Sequence, residues 1–277
     1  MSAGPEIPRI ELNDGTAMPL IGFGVFTIPA DEAAETVGEA LRVGYRSIDT
    51  AWGYFNEEGV GKAIRQSGLD RDDIHVTTKV WNSYQGREKT LESFDTSMKN
   101  LGLERLDLLL IHWPAPKNDL YLETWETFIE LRESGRVTSI GVSNFEPEHL
   151  GHIIEGTGVI PALNQIELHP YFQQRRLRDF HDLHGIATEA WAPIARGRVA
   201  ADPVLIEIGE AHGKSAVQVT LRWEIQSRII TIPKSDHAER IASNFEVLDF
   251  ELSADEMAAV DALDAGDRTG PDPHDMN

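Results

Sequence analysis

Ser47-Ile48-Asp49, His75-Val76-Thr77-Thr78-Lys79 and Leu106-Asp107-Leu108-Leu109-Leu110-Ile111-His112 are three short runs that read as strands, each with one polar group at its end. Between them lie stretches with helical character, so the runs are parallel strands joined by crossover helices. Neighbouring parallel strands lie about 5 Å apart. Three consecutive strand ends therefore deliver Asp49, Lys79 and His112 to one mouth, and Tyr54 follows the first of them closely. An acid, an amine, an imidazole and a phenol gathered there point to proton transfer to a carbonyl.

The same alternation continues outward in both directions. Upstream, Arg9 to Leu12, the turn Asn13-Asp14-Gly15 and Ala17 to Pro19 read as a β-hairpin. Leu20 to Gly24 is the first barrel strand, and a helix from Asp31 to Val43 is stopped by Gly44. The helix Glu57 to Ser67 reads as capped by Asn56, and further helices span Arg87 to Leu101 and Leu120 to Ser134. Downstream, Val137 to Val142, Ala162 to Ile166, Ala187 to Ala190 and Arg228 to Ile232 supply four more strands. Helices are expected over Glu146 to Glu155, Arg175 to His184, Val204 to His212, Ser215 to Gln226, His237 to Phe245 and Ala254 to Leu263. Eight β-then-α units make an α/β fold, a (β/α)8 TIM barrel with an N-terminal β-hairpin and extra C-terminal helices. One domain over residues 1–277 is expected, with an irregular tail from Asp264 that folds over a rim.

Composition narrows the function. A net charge of −21 argues against nucleic acid, whose phosphates need a basic face. The absence of cysteine excludes disulfides, thiol catalysis and Cys-ligated metals. No apolar run approaches the roughly 18 residues needed to span a membrane. Met1 to Glu6 has neither a basic nor an apolar segment, so no signal peptide is read and the expected location is the cytoplasm. Nothing demands more than a monomer, and no metal site is read. His181 and His184 are taken as a solvated helix face.

Several motifs resemble those of the aldo-keto reductases: Gly44-Tyr45-Arg46-Ser47-Ile48-Asp49-Thr50-Ala51-Trp52-Gly53-Tyr54-Phe55-Asn56-Glu57, Ile140-Gly141-Val142-Ser143-Asn144-Phe145, Asn164-Gln165-Ile166-Glu167-Leu168-His169-Pro170, and Ile232-Pro233-Lys234-Ser235 with Arg240 and Asn244. The likeness runs in order from about Ile10 to Leu263 and is greatest to bacterial 2,5-diketogluconate reductases. It implies that Asp49, Tyr54, Lys79 and His112 are catalytic, with Tyr54 as proton donor in the reduction of an aldehyde, ketone or keto sugar. Lys79 would lower the phenol's pKa, Asp49 would hold Lys79, and His112 would orient the carbonyl oxygen.

The resemblance also implies a cofactor, NADPH, with NADH as a second possibility. Ser143, Asn144 and Gln165 would bond the nicotinamide carboxamide and Trp191 would stack on its ring. Lys234, Ser235 and Arg240 would grip the 2′-phosphate and Asn244 the adenine. Gly22-Phe23-Gly24 lacks the third glycine of a dinucleotide-binding loop, so the phosphate site is expected at the last strands of the barrel. Asp236 is a departure, since a carboxylate there would repel a 2′-phosphate. Phe26, Trp52, Trp81, His112 and Trp113 are read as the walls of a small substrate pocket; Arg196 and Arg198, on the loop after the seventh strand, are read either as partners of a substrate carboxylate or as part of a solvated loop. Two other readings stand beside this one: a cofactor-sensing protein with little turnover, and a barrel glycoside hydrolase using Glu167 and Glu189.

Overall fold

The computed structural model describes residues 7–277; the segment Met1–Glu6, on which the signal-peptide reading rests, lies outside them. Strands β1 (Arg9–Glu11) and β2 (Ala17–Pro19) form the expected antiparallel hairpin. Eight strands then run parallel: β3 (Phe23–Gly24), β4 (Ser47–Asp49), β5 (His75–Val80), β6 (Leu106–Ile111), β7 (Val137–Ser143), β8 (Leu163–Glu167), β9 (Ala187–Trp191) and β10 (Ile230–Thr231). Each pairs with its neighbour in chain order. The ring closes through a parallel bridge between Ile21 and Thr231, reinforced by Gly22 N–H donating to the Thr231 carbonyl and Thr231 N–H to that of Leu20.

Closure explains why the first and last strands are shorter than expected. The residues of 20–22 pair with Thr231 as a single bridge, so ladder pairing with β4 begins only at Phe23. Glycine eases the close approach at the seam: a Cβ on Gly24 would come within 3.0 Å of the Ile232 carbonyl oxygen. The hairpin lies across the opposite end of the barrel, where Thr16 Oγ1 lies 3.0 Å from Ser139 Oγ and Asn13 Nδ2 donates to the Pro161 carbonyl.

Helices α1 (Ala33–Val43), α2 (Glu57–Gln66), α3 (Arg87–Leu101), α4 (Tyr121–Glu133), α5 (Pro147–Thr157), α6 (Arg175–His184), α7 (Pro203–His212), α8 (Ala216–Gln226), α9 (Ala238–Phe245) and α10 (Ala254–Asp261) complete the fold. Their apolar faces pack on the barrel wall in one continuous core, where Trp125 and Trp223 are fully buried. Local chemistry sets several boundaries. Asp202 caps α7 through the Val204 and Leu205 amides, and Ser215 and Ser253 form capping boxes on α8 and α10. Asn56 does not cap α2. Its amide instead donates to the carbonyls of Val25 and Ile28 and its oxygen accepts from Thr50 Oγ1, tying the loop after β3 to the loop after β4.

His181 corrects another expectation. It is buried, with Nε2 3.0 Å from Asn164 Nδ2 and Nδ1 2.9 Å from Thr188 Oγ1, because α6 turns that face onto β8 and β9. Burial drives its pKa down to about 3, so the ring is neutral. The tail does fold over the rim as expected. Ala265 and Asp267 donate their amides to the Tyr171 carbonyl, and the chain then crosses the mouth toward Asn277, whose side chain accepts from the Lys117 amide.

Candidate active site

The strand ends converge as their order demands. Register pairs Gly24 with Asp49, Asp49 with Thr77 and Lys79 with Leu110, so each successive functional group sits further along its strand than the last. Strand tilt in a barrel levels those steps, and the groups share one height at the C-terminal mouth. Lys79 is buried and donates to Asp49 Oδ1 at 2.5 Å, to the Thr50 carbonyl at 2.9 Å and to Tyr54 Oη at 3.5 Å. Tyr54 reaches this point because Trp52–Tyr54 is a single 3-10 turn directly after β4.

Electrostatics refine the expectation for Tyr54. Burial pushes its phenol above the ordinary value, Lys79 pulls against that, and the net direction is upward. The phenol is therefore held protonated near neutrality, with an ammonium beside it for whatever charge it later acquires. Burial pulls Lys79 down, but Asp49 and Tyr54 outweigh it and the amine ends above its usual value. His112 lines the cleft with Trp81 edge-on at 4.9 Å and Tyr54 at 5.6 Å between ring centroids. Burial, then Lys79, lower its pKa well below the usual range, so it presents a neutral imidazole.

A second polar layer lies beside the first. Register aligns Ser143, Gln165 and Glu189 across β7, β8 and β9. Gln165 Nε2 donates at 2.8 Å both to Asp49 Oδ2 and to Glu189 Oε2. With both amide hydrogens directed inward, Gln165 keeps its carbonyl oxygen for the cleft. Glu189, missed as a member of this layer by sequence reasoning, is buried beneath it. Burial, then the neighbouring Asp49 charge, push its carboxyl up to about 8. Asn144 adopts a left-handed φ of 63° and donates to the His112 carbonyl and to Ser143 Oγ, while its oxygen accepts the Trp191 indole N–H at 2.7 Å.

Above this floor is a cavity of about 660 Å³. Phe26, Tyr54, Trp81, His112, Trp113 and Trp191 line it, with Ser143, Asn144 and Gln165 on one side and Lys234, Ser235 and Arg240 at the far rim. Two expected members do not line it. Trp52 lies two positions before Tyr54 on a three-residue turn, so it faces away when Tyr54 faces in, and it packs on Tyr84 with ring centroids 4.4 Å apart. Asn244 is buried in α9, off the cavity wall. Arg196 lines the cleft, whereas Arg198 is drawn off to Asp267 at 3.0 Å and lies over the Tyr171 ring.

The tail supplies walls that sequence reasoning did not name, Pro271 and Met276. Glu167 holds it there: its carboxylate accepts the Thr269 amide and hydroxyl at 2.5 Å and the Gly270 amide at 3.0 Å. A Cβ on Gly270 would come within 2.3 Å of the Trp191 indole, so only glycine lets the chain pass that close. Glu167 thus anchors a strap and Glu189 supports Gln165. Neither carboxylate lines the cavity, which removes the structural basis of the glycoside hydrolase reading.

A parallel barrel whose mouth holds a tyrosine backed by a salt-bridged lysine defines a proton-transferring enzyme of the carbonyl-reducing kind. The profile described as Aldo/keto reductase family matches residues 20–265. The chain is 53% identical over 270 residues to an aldo-keto reductase of Mycolicibacterium smegmatis, covering 98% of each chain. It is 45% identical over 273 residues to the methylglyoxal reductase DkgA of Escherichia coli (strain K12), again covering 98% of each. A crystal structure of a mutant of Gox0644 in complex with NADPH superposes with a TM-score of 0.95 at 48% identity, covering 99% of this chain and 100% of that one. The chain belongs to the aldo/keto reductase family.

Proposed function

We propose that this protein reduces a small aldehyde, α-dicarbonyl or keto sugar with NADPH, Tyr54 supplying the proton. The observation that carries the reading is the chain Asp49–Lys79–Tyr54, with Lys79 Nζ 2.5 Å from the carboxylate and 3.5 Å from the phenol oxygen. The residues present fit a nicotinamide cofactor. Ser143 and the Gln165 carbonyl oxygen face the cleft beside Trp191, and Lys234 and Arg240 stand where the start of α9 has no side-chain cap over its amides. Bound there, the nicotinamide supplies hydride to the carbonyl carbon.

The chain's own residues do the rest. His112, neutral and free of hydrogen bonds from its ring to the described residues, presents N–H to the carbonyl oxygen and fixes its direction. Tyr54 Oη gives that oxygen its proton, and the phenolate left behind faces the Lys79 ammonium. Asp49 keeps Lys79 charged and aimed. Trp81, Trp113, Phe26 and the tail exclude water and select a small substrate. Asn144 orients Trp191 through its indole N–H. Asn244 acts from within α9 on the adenine end rather than from the cleft wall.

No helix among the described residues is long and apolar enough to cross a membrane. We take the enzyme to be a single-domain, cytoplasmic monomer, and light scattering on the purified protein tests the oligomeric state. The test is loss of NADPH absorbance on mixing purified protein with methylglyoxal, other α-dicarbonyls, simple aldehydes and keto sugars. Turnover with at least one class is expected. Tight NADPH binding with no turnover on any of them would assign the site to cofactor sensing instead.

A further inference from the structure

The rim where a 2′-phosphate would sit already holds a carboxylate. Asp236 Oδ2 lies 3.3 Å from Lys234 Nζ, while its Oδ1 lies 3.8 Å from an Arg240 guanidinium nitrogen and 3.6 Å from His237 Nε2. Both basic groups expected to grip an incoming phosphate therefore converge on one internal anion. Asp236 is half-exposed and lines the cavity together with Lys234 and Arg240. Its own backbone amide, then Lys234 and Arg240, favour the ionised form and hold its carboxyl below the usual range.

We propose that Asp236 sets the cofactor selectivity of this enzyme, its carboxylate competing with the 2′-phosphate of NADPH for Lys234 and Arg240 and leaving NADH a usable partner. The inference rests on the reading that these two residues form the 2′-phosphate site. With Asp236 in place the local charge of the trio is +1, from two cations and one anion. A phosphate arriving there must displace the carboxylate or share the cations with it at close range, and like charges a few ångströms apart cost affinity even at a wet rim. NADH brings a hydroxyl in place of the phosphate. That hydroxyl can donate to the Asp236 carboxylate, so the same residue that weakens one cofactor supports the other. The contacts are partly exposed, so the effect belongs to affinity and selectivity rather than to folding.

The test measures binding of NADPH and of NADH by quenching of tryptophan fluorescence in the wild type, in Asp236→Asn and in Lys234→Ala. Asp236→Asn keeps the shape and removes the charge. It is expected to tighten NADPH about tenfold, the scale of repulsion between a phosphate and one carboxylate in water, while NADH stays level or weakens slightly. Lys234→Ala is expected to weaken NADPH with little effect on NADH. If Lys234→Ala weakens NADPH but Asp236→Asn leaves both affinities unchanged, or shifts both equally, the role of Asp236 is overturned and the phosphate site stands. If Lys234→Ala moves neither cofactor selectively, the phosphate site itself is misplaced and the inference falls with it.

Discussion

Lys79 uses all three of its ammonium hydrogens inside the protein, on Asp49, the Thr50 carbonyl and Tyr54. Such a pair gains little over an apolar pair of the same volume, but removing one partner strands a buried charge. Lys79→Met is therefore expected to cost about 3–5 kcal/mol in urea unfolding, and adding Asp49→Leu to recover much of the loss. A loss no smaller in the double variant would mean that packing, not charge, sets the cost. Glu189 makes the opposite case. Its folded value of about 8 lies above the ordinary 4.5, so the folded state binds that proton more tightly. Its contribution to stability is complete below pH 4.5 and is lost as pH rises to about 8. Glu189→Gln is expected to stabilise the protein at pH 8–9 by about 1–3 kcal/mol, with little gain near pH 4.5, as read from thermal melts at several pH values. Asp49, Lys79 and His112 were legible because each ends or directly follows a short strand-like run, and Tyr54 because it comes soon after the first of them. Glu189 follows Thr188 in a strand of mixed character, and only the register of β8 with β9 brings it under Gln165.

At the scale of elements, the strap formed by the tail depends on Glu167. Four donors from Thr269, Gly270 and the His169 ring converge on that carboxylate. A charged acceptor bonded this many times loses far more than one neutral hydrogen bond when removed. Glu167→Ala is expected to raise amide hydrogen exchange through residues 265–277 and to raise KM more than it lowers kcat, since the cavity loses the wall formed by Pro271 and Met276. Unchanged exchange in the tail would place its anchor elsewhere, at the Arg268–Glu146 or His274–Glu148 pairs. The tail's place over the rim was expected, but its anchor was not readable, because Asp264 to Asn277 has no period and little apolar content and its path is set by Glu167, about a hundred residues earlier. Trp52 failed for the converse reason. Sequence placed it after the right strand, but the 3-10 turn that brings Tyr54 inward carries it outward.

Over the whole molecule, the alternation of strand and helix was enough to give the barrel, since eight parallel strands with outer helices have one compact closure. What it did not give was how much polar chemistry lies inside. His75, His112 and His181 are all held neutral by burial, two of them at about 4 and 3. For a histidine with a depressed folded value, stability is fully present above its ordinary 6.5 and is lost as pH falls toward the folded value. Melting temperature is therefore expected to drop between pH 7 and pH 5, with a shallower slope in His181→Gln after its fixed cost is subtracted. An unchanged slope would mean that carboxylates alone govern the acid side. The central claim concerns one proton. Tyr54→Phe tests it most directly, with single-turnover reduction of methylglyoxal followed beside NADPH binding in the same preparation. The account predicts a fall in reduction of about 100-fold or more, the usual worth of a positioned acid, with NADPH affinity within about twofold of wild type. Reduction persisting at near wild-type rate would contradict it, and would move the proton donor away from Tyr54.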